Sequence, residues 1–199
     1  MAYERKDAFH QRAKREGFRS RGAYKLDELQ REHRLIRAGD RVVDLGCWPG
    51  GWMQVAAELV GPSGRVVGID LAELDPLPFE NSVALRGDLA EPAAAQRLLD
   101  ALGRPADVLL SDAAPKLTGI RATDRAREEA LLEAIEALVP QLLRPGGALV
   151  AKLLEAPESQ AFANRVRARF DSARITKSQA TRKGSSEKYL IARSFRGAT

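Results

Sequence analysis

The sequence predicts an α/β fold: an open, mostly parallel sheet with helices on both faces. Three observations predict it. From residue 41 onward, short runs of Val, Ile and Leu alternate with longer helix-patterned segments, the texture of strands buried on both faces and linked by crossover helices. A glycine-rich turn, "DLGCWPGGW", joins the first such strand to the next helix, where doubly wound folds bind ligands. The last two strand-like segments are separated only by a basic loop, "QATRKGSSE", which suits an antiparallel pair.

Taken in order, residues 3–16 and 22–37 read as helices. In the second, Tyr24, Leu26, Leu29 and Ile36 recur near helical spacing. "RVVDLG" is a buried strand, and "GWMQVAAELV" is a helix ended by "GPSG". "RVVGIDL" and "SVALRGD" are the second and third strands, and "AAAQRLLDAL" is the helix after them. "ADVLLSD" is the fourth strand. The long helix "RATDRAREEALLEAIEALVPQLL" follows and is expected to stop at "RPGG". "ALVAKLL" is the fifth strand, "ESQAFANRVRARF" a helix, and "SARITKS" and "KYLIARSF" close the sheet as strands six and seven. No internal repeat or low-complexity block interrupts this order.

The 199 residues fit one domain with a full core: a basic helical extension over 1–37 and an α/β core over 38–199. No apolar run is long enough to span a bilayer, and the charged start "MAYERKDAFHQRAKR" lacks the apolar segment of a signal peptide. The expectation is a cytosolic monomer. One cysteine, Cys47, cannot form an internal disulfide. With only His10 and His33 beside it, a Cys/His zinc site and a histidine-dependent nucleophile are both disfavoured. If the chain is an enzyme, its proton chemistry must rest on Lys, Asp, Glu or Tyr. Charge is unevenly spread. Residues 1–37 carry +5, residues 38–162 carry −8 and residues 163–199 carry +8. Two basic ends around an acidic centre point to a polyanion partner if the ends meet in space.

The acidic centre is patterned. Asp44, Asp70, Asp88 and Asp112 each stand at or just after the end of one of the first four strands. Gly46, Gly50 and Gly51 let the first turn bend tightly and come close to a ligand. An acid at Asp70 is placed for the two hydroxyls of a ribose, and one at Asp88 for an adenine amino group. A pyrophosphate is poorly served by such an acidic rim, which disfavours a nicotinamide dinucleotide. S-adenosyl-L-methionine carries adenosine, a sulfonium cation and no phosphate, and suits the rim. Trp52 opens the following helix, either beside that ligand or in the core. Lys152 lies inside an otherwise apolar strand, which is costly without a partner. Asp112 ends the neighbouring strand, Glu187 begins the last one, and Lys25 lies on the second helix. Tyr24 and Tyr189 are either base-stacking or core residues.

A mostly parallel sheet closed by an antiparallel pair is the outline of a Rossmann-like class I methyltransferase. With "FRSRGAYKLDEL", "VVDLGCWPGGW", "SDAAPKLTG" and "SSEKYLIA" in that order, the chain resembles the FtsJ/RrmJ-type ribosomal RNA 2′-O-methyltransferases from about residue 11 to its end. The resemblance implies a catalytic set of Lys25, Asp112, Lys152 and Glu187. It also implies adenosylmethionine contacts at Gly50, Trp52, Asp70, Asp88 and Asp112. The implied substrate is a uridine ribose in the A-loop of ribosomal RNA in the large ribosomal subunit. Burial and a like-charged neighbour favour the neutral form of an amine, which can act as general base; that role is expected of Lys152. Lys25 would then steady the developing oxyanion, Asp112 would orient Lys152, and Glu187 would fix the lysines. The sequence departs from the family at Cys47-Trp48, where small residues are usual, and at "LLEAPES" after the strand lysine.

The RNA surface expected from charge comprises Arg12, Lys14, Arg15, Arg19, Arg21, Arg31, Arg34 and Arg37 at one end. Arg165, Arg167, Arg169, Arg174, Lys177, Arg182 and Lys183 supply the other. Other readings remain open on sequence alone: a 2′-O-methyltransferase of transfer RNA or of an mRNA cap, or a non-catalytic RNA-binding assembly factor on the same scaffold.

Overall fold

The computed structural model describes residues 12–13, 15–181 and 185–197. Most of the helix expected over 3–16, with Lys14 in it, and the loop residues Arg182 and Lys183 fall outside these. Helix α1 (Gly22–His33) precedes β1 (Arg41–Leu45), α2 (Gly51–Val60), β2 (Arg65–Asp70), β3 (Ser82–Arg86) and α3 (Ala94–Leu102). Then come β4 (Ala106–Ser111), α4 (Arg121–Leu142), β5 (Leu143–Leu153), α5 (Pro157–Arg167), β6 (Phe170–Thr176) and β7 (Lys188–Phe195).

The seven strands form one sheet in the order β3-β2-β1-β4-β5-β7-β6. β1 pairs in parallel with β2 and β4, and β2–β3 and β4–β5 are also parallel. β7 is inserted antiparallel between β5 and β6. The strand order therefore reverses at β1–β4, which opens a crevice at their carboxyl ends.

Alternation along each strand divides the core in two. Val43, Leu45, Val67, Ile69 and Leu109 face Leu98, Leu132, Ile135 and Phe162 of α3, α4 and α5. Val42, Val66, Val108, Leu110, Val150 and Ile191 face Leu26, Leu29, Met53 and Ala56 of α1 and α2. Leu26 and Leu29 are buried almost completely, each stabilising the docked helix by about 2 kcal/mol. Far from the crevice, Asp107 takes Arg41 N–H at 2.7 Å, Arg104 Nη2 at 2.7 Å and Arg144 Nε at 2.5 Å. These donors tie the amino-terminal ends of β1, β4 and β5.

Two boundaries differ most from the sequence reading. α1 stops at His33, not residue 37. The Gln30 side chain accepts from Leu35 and Ile36 N–H and donates to Ile36 O, so it replaces the next helical turn and lets Leu35 and Ile36 return to the core. "RPGG" is not a turn between helix and strand. It lies within β5, where pairing shifts from Leu143–Ala106 to Ala148–Val108.

Candidate active site

The strand parity that builds the core also gathers the chemistry. Asp44 is two residues after Val42, Lys152 two after Val150, and Tyr189 two before Ile191. All three therefore share the face covered by α1 and α2. Lys152 and Tyr189 are direct cross-strand partners in the β5–β7 register. α1 supplies Lys25, only 6% exposed although it lies on a helix that begins at Gly22.

These side chains form one connected cluster. Lys25 Nζ is 2.6 Å from Glu187 Oε1 and 3.9 Å from Asp112 Oδ2. Lys152 Nζ is 3.3 Å from Asp112 Oδ1 and also donates to the Asp112 carbonyl. Tyr189 Oη sits between the two acids, 2.9 Å from Asp112 Oδ1 and 2.8 Å from Glu187 Oε1. Its phenol is buried. Burial and then the charges of Asp112 and Glu187 raise its pKa, so it remains a hydrogen-bond donor. One hydrogen faces two acceptors, and the two lysines balance the charge that this leaves. Burial alone would raise Glu187, but the hydrogen bond and charge of Lys25 outweigh it and hold that carboxyl below its ordinary range.

Beside the cluster lies a cleft of about 740 Å³, of the size that holds a nucleoside-scale ligand. Ile69, Leu89, Ala130, Leu131 and Ala134 give it apolar walls, and Asp70, Asp88 and Asp112 give it acids. Asp70 already accepts Trp48 N–H at 3.0 Å and Ala72 N–H at 2.9 Å. Asp88 accepts Ala90 N–H at 2.9 Å. These bonds fix both carboxylates and leave lone pairs to accept more. Gly46 joins this cleft to a smaller hollow of about 50 Å³ lined by Ser20, Asp44, Gly51, Trp52 and Asp112. Asp44 is 1% exposed, and neither carboxylate oxygen has a partner among the described residues. Burial, then the charges of Asp112 and Asp70, raise its pKa well above the ordinary value. A buried acid with empty acceptors facing a hollow is matched by a cationic donor, such as the ammonium of an amino acid.

A hollow of about 910 Å³ between α1, α2 and residues 179–180 is larger. Three of its acids, however, already have partners: Glu16 with Arg12 and Tyr24, Asp27 with Arg31, and Glu28 with residues 178–180. The buried carboxylate of Asp44, by contrast, has no partner among the described residues and lies at the small hollow.

The expected residues separate into three groups. Lys25, Asp112, Lys152 and Glu187 come together as a set. Asp44, Gly46, Gly51, Trp52, Asp70, Asp88 and Asp112 line the two hollows. Gly50 lines neither; at φ +105° it ends the turn before α2, packed beside Arg19 and Leu74. Gly46, at φ +81°, has the Ala113 Cβ only 2.5 Å from where its own Cβ would stand, so both its conformation and its space require glycine. Trp52 Nε1 donates to Gly22 O at 2.9 Å and its ring tilts on Tyr189, so it ties α2 to α1 as well as lining the small hollow. Tyr189 is a site residue that sequence reasoning left open. Its signal was the i, i+2 spacing from Glu187, which puts both on one side of an extended segment. Ser20, in an irregular stretch before α1, carried no such signal.

Comparison with known proteins agrees with this fold. The profile of the FtsJ-like methyltransferase family matches residues 18–195. The chain is 43% identical over 97% of its length to the ribosomal RNA large subunit methyltransferase E of Halorubrum lacusprofundi, covering 72% of that protein. It is 42% identical to the protein of that name in Syntrophobacter fumaroxidans, over 96% of each chain. It is 40% identical to that of Methanothermobacter thermautotrophicus, over 99% of this chain and 93% of the other. A ribosomal RNA methyltransferase structure from Plasmodium falciparum superposes with a TM-score of 0.80 at 26% identity, over 91% of this chain and all of that one. The seven-stranded sheet, the acid-lined cleft and the Lys25–Asp112–Lys152–Glu187 cluster thus occur in a chain that belongs to the FtsJ-like methyltransferase family.

Proposed function

We propose that this protein transfers a methyl group from S-adenosyl-L-methionine to the 2′-hydroxyl of a uridine in the A-loop of large-subunit ribosomal RNA, with the large subunit as its partner. The observation that carries the reading is the buried cluster of two lysines, two acids and a tyrosine beside an acid-lined cleft. The names of the relatives support ribosomal RNA as the acceptor. The uridine and the A-loop rest on the resemblance of the four sequence motifs.

The residues fit the donor at both ends. Asp70 and Asp88 would accept from the ribose hydroxyls and the adenine amino group, with Leu89 and Leu131 against the base. Asp44, whose oxygens are unpartnered among the described residues, would take the ammonium of the methionine portion, with Ser20, Gly51 and Trp52 around it. When bound, adenosylmethionine supplies a methyl group already activated by the sulfonium. The chain's own task is to hold a ribose hydroxyl in line and take its proton. Lys152 would act as the general base. Lys25 would hydrogen-bond the hydroxyl oxygen as negative charge builds on it. Asp112 would orient Lys152, and Glu187 with Tyr189 would fix Lys25.

The test is to incubate the protein with methyl-labelled adenosylmethionine and, separately, large subunits, free ribosomal RNA and transfer RNA, then map the labelled nucleotide. Label on a ribose 2′-oxygen in the A-loop is the expected result. Label confined to transfer RNA, to a base or to protein overturns the reading. Lys152→Ala is expected to bind both substrates and lose turnover; turnover near that of the wild type would exclude it as the base.

A further inference from the structure

The chain has two tryptophans, used in opposite ways. Trp52 is 4% exposed and hydrogen-bonded, whereas Trp48 is 58% exposed. An indole left in water forgoes a large burial gain. It is also no floppy appendage. The Trp48 backbone N–H is held by Asp70 Oδ2 at 3.0 Å. Gly46 and Cys47 N–H both bond Ile69 O, and Gly50 N–H closes the turn on Cys47 O. Cys47 is buried beneath it. The backbone is fixed, and the ring stands outward from it.

Its position adds the second observation. Trp48 lines both the 740 Å³ cleft and the 50 Å³ hollow that contains Asp112. It therefore stands at the seam between the donor cleft and the catalytic cluster. The cleft already has apolar walls in Ile69, Leu89, Ala130 and Leu131, so an adenine finds contact there without the exposed ring. A ribose hydroxyl, by contrast, can reach Lys25 and Lys152 only if its nucleotide leaves any helical stack. The base so released needs a new surface, which aromatic rings supply in single-stranded RNA recognition. Arg19, whose Cδ lies against Gly50 of the same turn, bonds through its guanidinium to the carbonyls of Asp75 and Pro76. Those neutral acceptors leave its positive charge available to a phosphate.

We propose that Trp48 is the stacking platform for an unpaired base of the RNA, either that of the methylated nucleotide or that of its neighbour. The inference rests on the RNA-methylation reading above and names the residue that holds the acceptor. The experiment compares wild type, Trp48→Phe and Trp48→Ala on an RNA that the wild type methylates. It reads the KM for RNA, the Kd for S-adenosylhomocysteine and the quenching of tryptophan fluorescence by RNA. Trp48→Ala should raise the KM for RNA about tenfold, the scale of one base–aromatic stack, with Trp48→Phe in between and the S-adenosylhomocysteine Kd within about twofold. An RNA abasic at the stacked position should weaken the wild type and leave Trp48→Ala unchanged. RNA should quench the exposed Trp48 strongly, and the Trp48→Phe protein, which keeps only buried Trp52, should show little quenching. An unchanged KM for RNA in Trp48→Ala overturns the proposal, and so does a loss that falls on S-adenosylhomocysteine instead. Failure of the wild type to methylate any RNA would instead overturn the function itself, and this inference with it.

Discussion

Asp44 illustrates, at the scale of one residue, how a buried, unpaired acid lowers stability, the cost that its proposed binding role would carry. Its carboxylate is buried with both oxygens unpartnered among the described residues, and its pKa is raised well above the ordinary value. The free folded protein therefore keeps a proton there that the unfolded chain releases above about pH 3.9. More protons bound in the native state means that stability falls as pH rises from the unfolded pKa toward the folded one. Asp44→Asn removes that penalty. We expect the free variant to melt higher than wild type at neutral pH, by about 2–4 °C for each kcal/mol recovered, and to lose the pH slope in that window. The same variant should bind adenosylmethionine more weakly, since an amide offers no charge to an ammonium. Calorimetric melts across pH, with donor titrations, check both; a variant that melts no higher and binds as well would remove Asp44 from the site. Tyr189→Phe makes a second case. It deletes the hydroxyl between Asp112 and Glu187 and with it the one hydrogen that the two acids share, a loss of about 1–3 kcal/mol. The expected result is a fall in kcat of about tenfold with the KM for RNA little changed. A rise in KM with kcat intact would make the tyrosine a substrate contact instead.

At the scale of elements, the site depends on one helix and one loop being locked together. Glu28, one turn beyond Lys25 on α1, accepts from Ser178 Oγ at 2.6 Å, Gln179 N–H at 2.8 Å and Ala180 N–H at 3.2 Å. Thr181 Oγ1 then reaches Glu187 Oε1 at 3.2 Å. Residues 178–180 are thus pinned to the helix that carries Lys25, and Thr181 reaches the Glu187 that pairs with that lysine. Glu28→Ala should cost about 2 kcal/mol, speed amide exchange at residues 179–180 and lower kcat. Glu28→Gln, which keeps one acceptor oxygen, should recover part of each loss. Unchanged exchange at these amides would show that the loop is held by other contacts. This lock also marks where the sequence stopped being legible. Strands buried on both faces and acids at their ends left clear local patterns, so the sheet and Asp70, Asp88 and Asp112 could be read directly. Lys25 and Glu187 could not. A lysine beside Leu26 and an acid before a strand look like solvated residues until a partner far along the chain meets them, and only the motif resemblance pointed to them. The end of α1 was misread because a single glutamine side chain captured the next turn.

For the whole molecule, the question is how much of its formal charge faces RNA. The two basic ends do meet: Arg174 Nη2 is 2.5 Å from His33 Nδ1, Arg193 donates to His33 O, and Glu28 holds residues 178–180. Yet several cations counted from sequence already have partners. Arg12 pairs with Glu16, Arg31 with Asp27 and Arg165 with Glu136. Arg174 is engaged with His33, and Lys177 Nζ with the Ser185 carbonyl. Arg15, Arg34, Arg37 and Arg167 are exposed without an ion pair among the described residues, and Arg19 bonds only neutral carbonyls through its guanidinium. The described cations thus supply roughly five phosphate contacts, which for single-stranded RNA predicts a slope of log K against log salt of about −3.5. Engagement of all fifteen basic residues counted from sequence would give about −10. Filter binding of an A-loop RNA fragment between about 50 and 200 mM salt measures the slope. A value near −3.5 is expected. A flat dependence would exclude the surface, and one near −10 would mean that RNA breaks the internal ion pairs and that the protein rearranges as it binds.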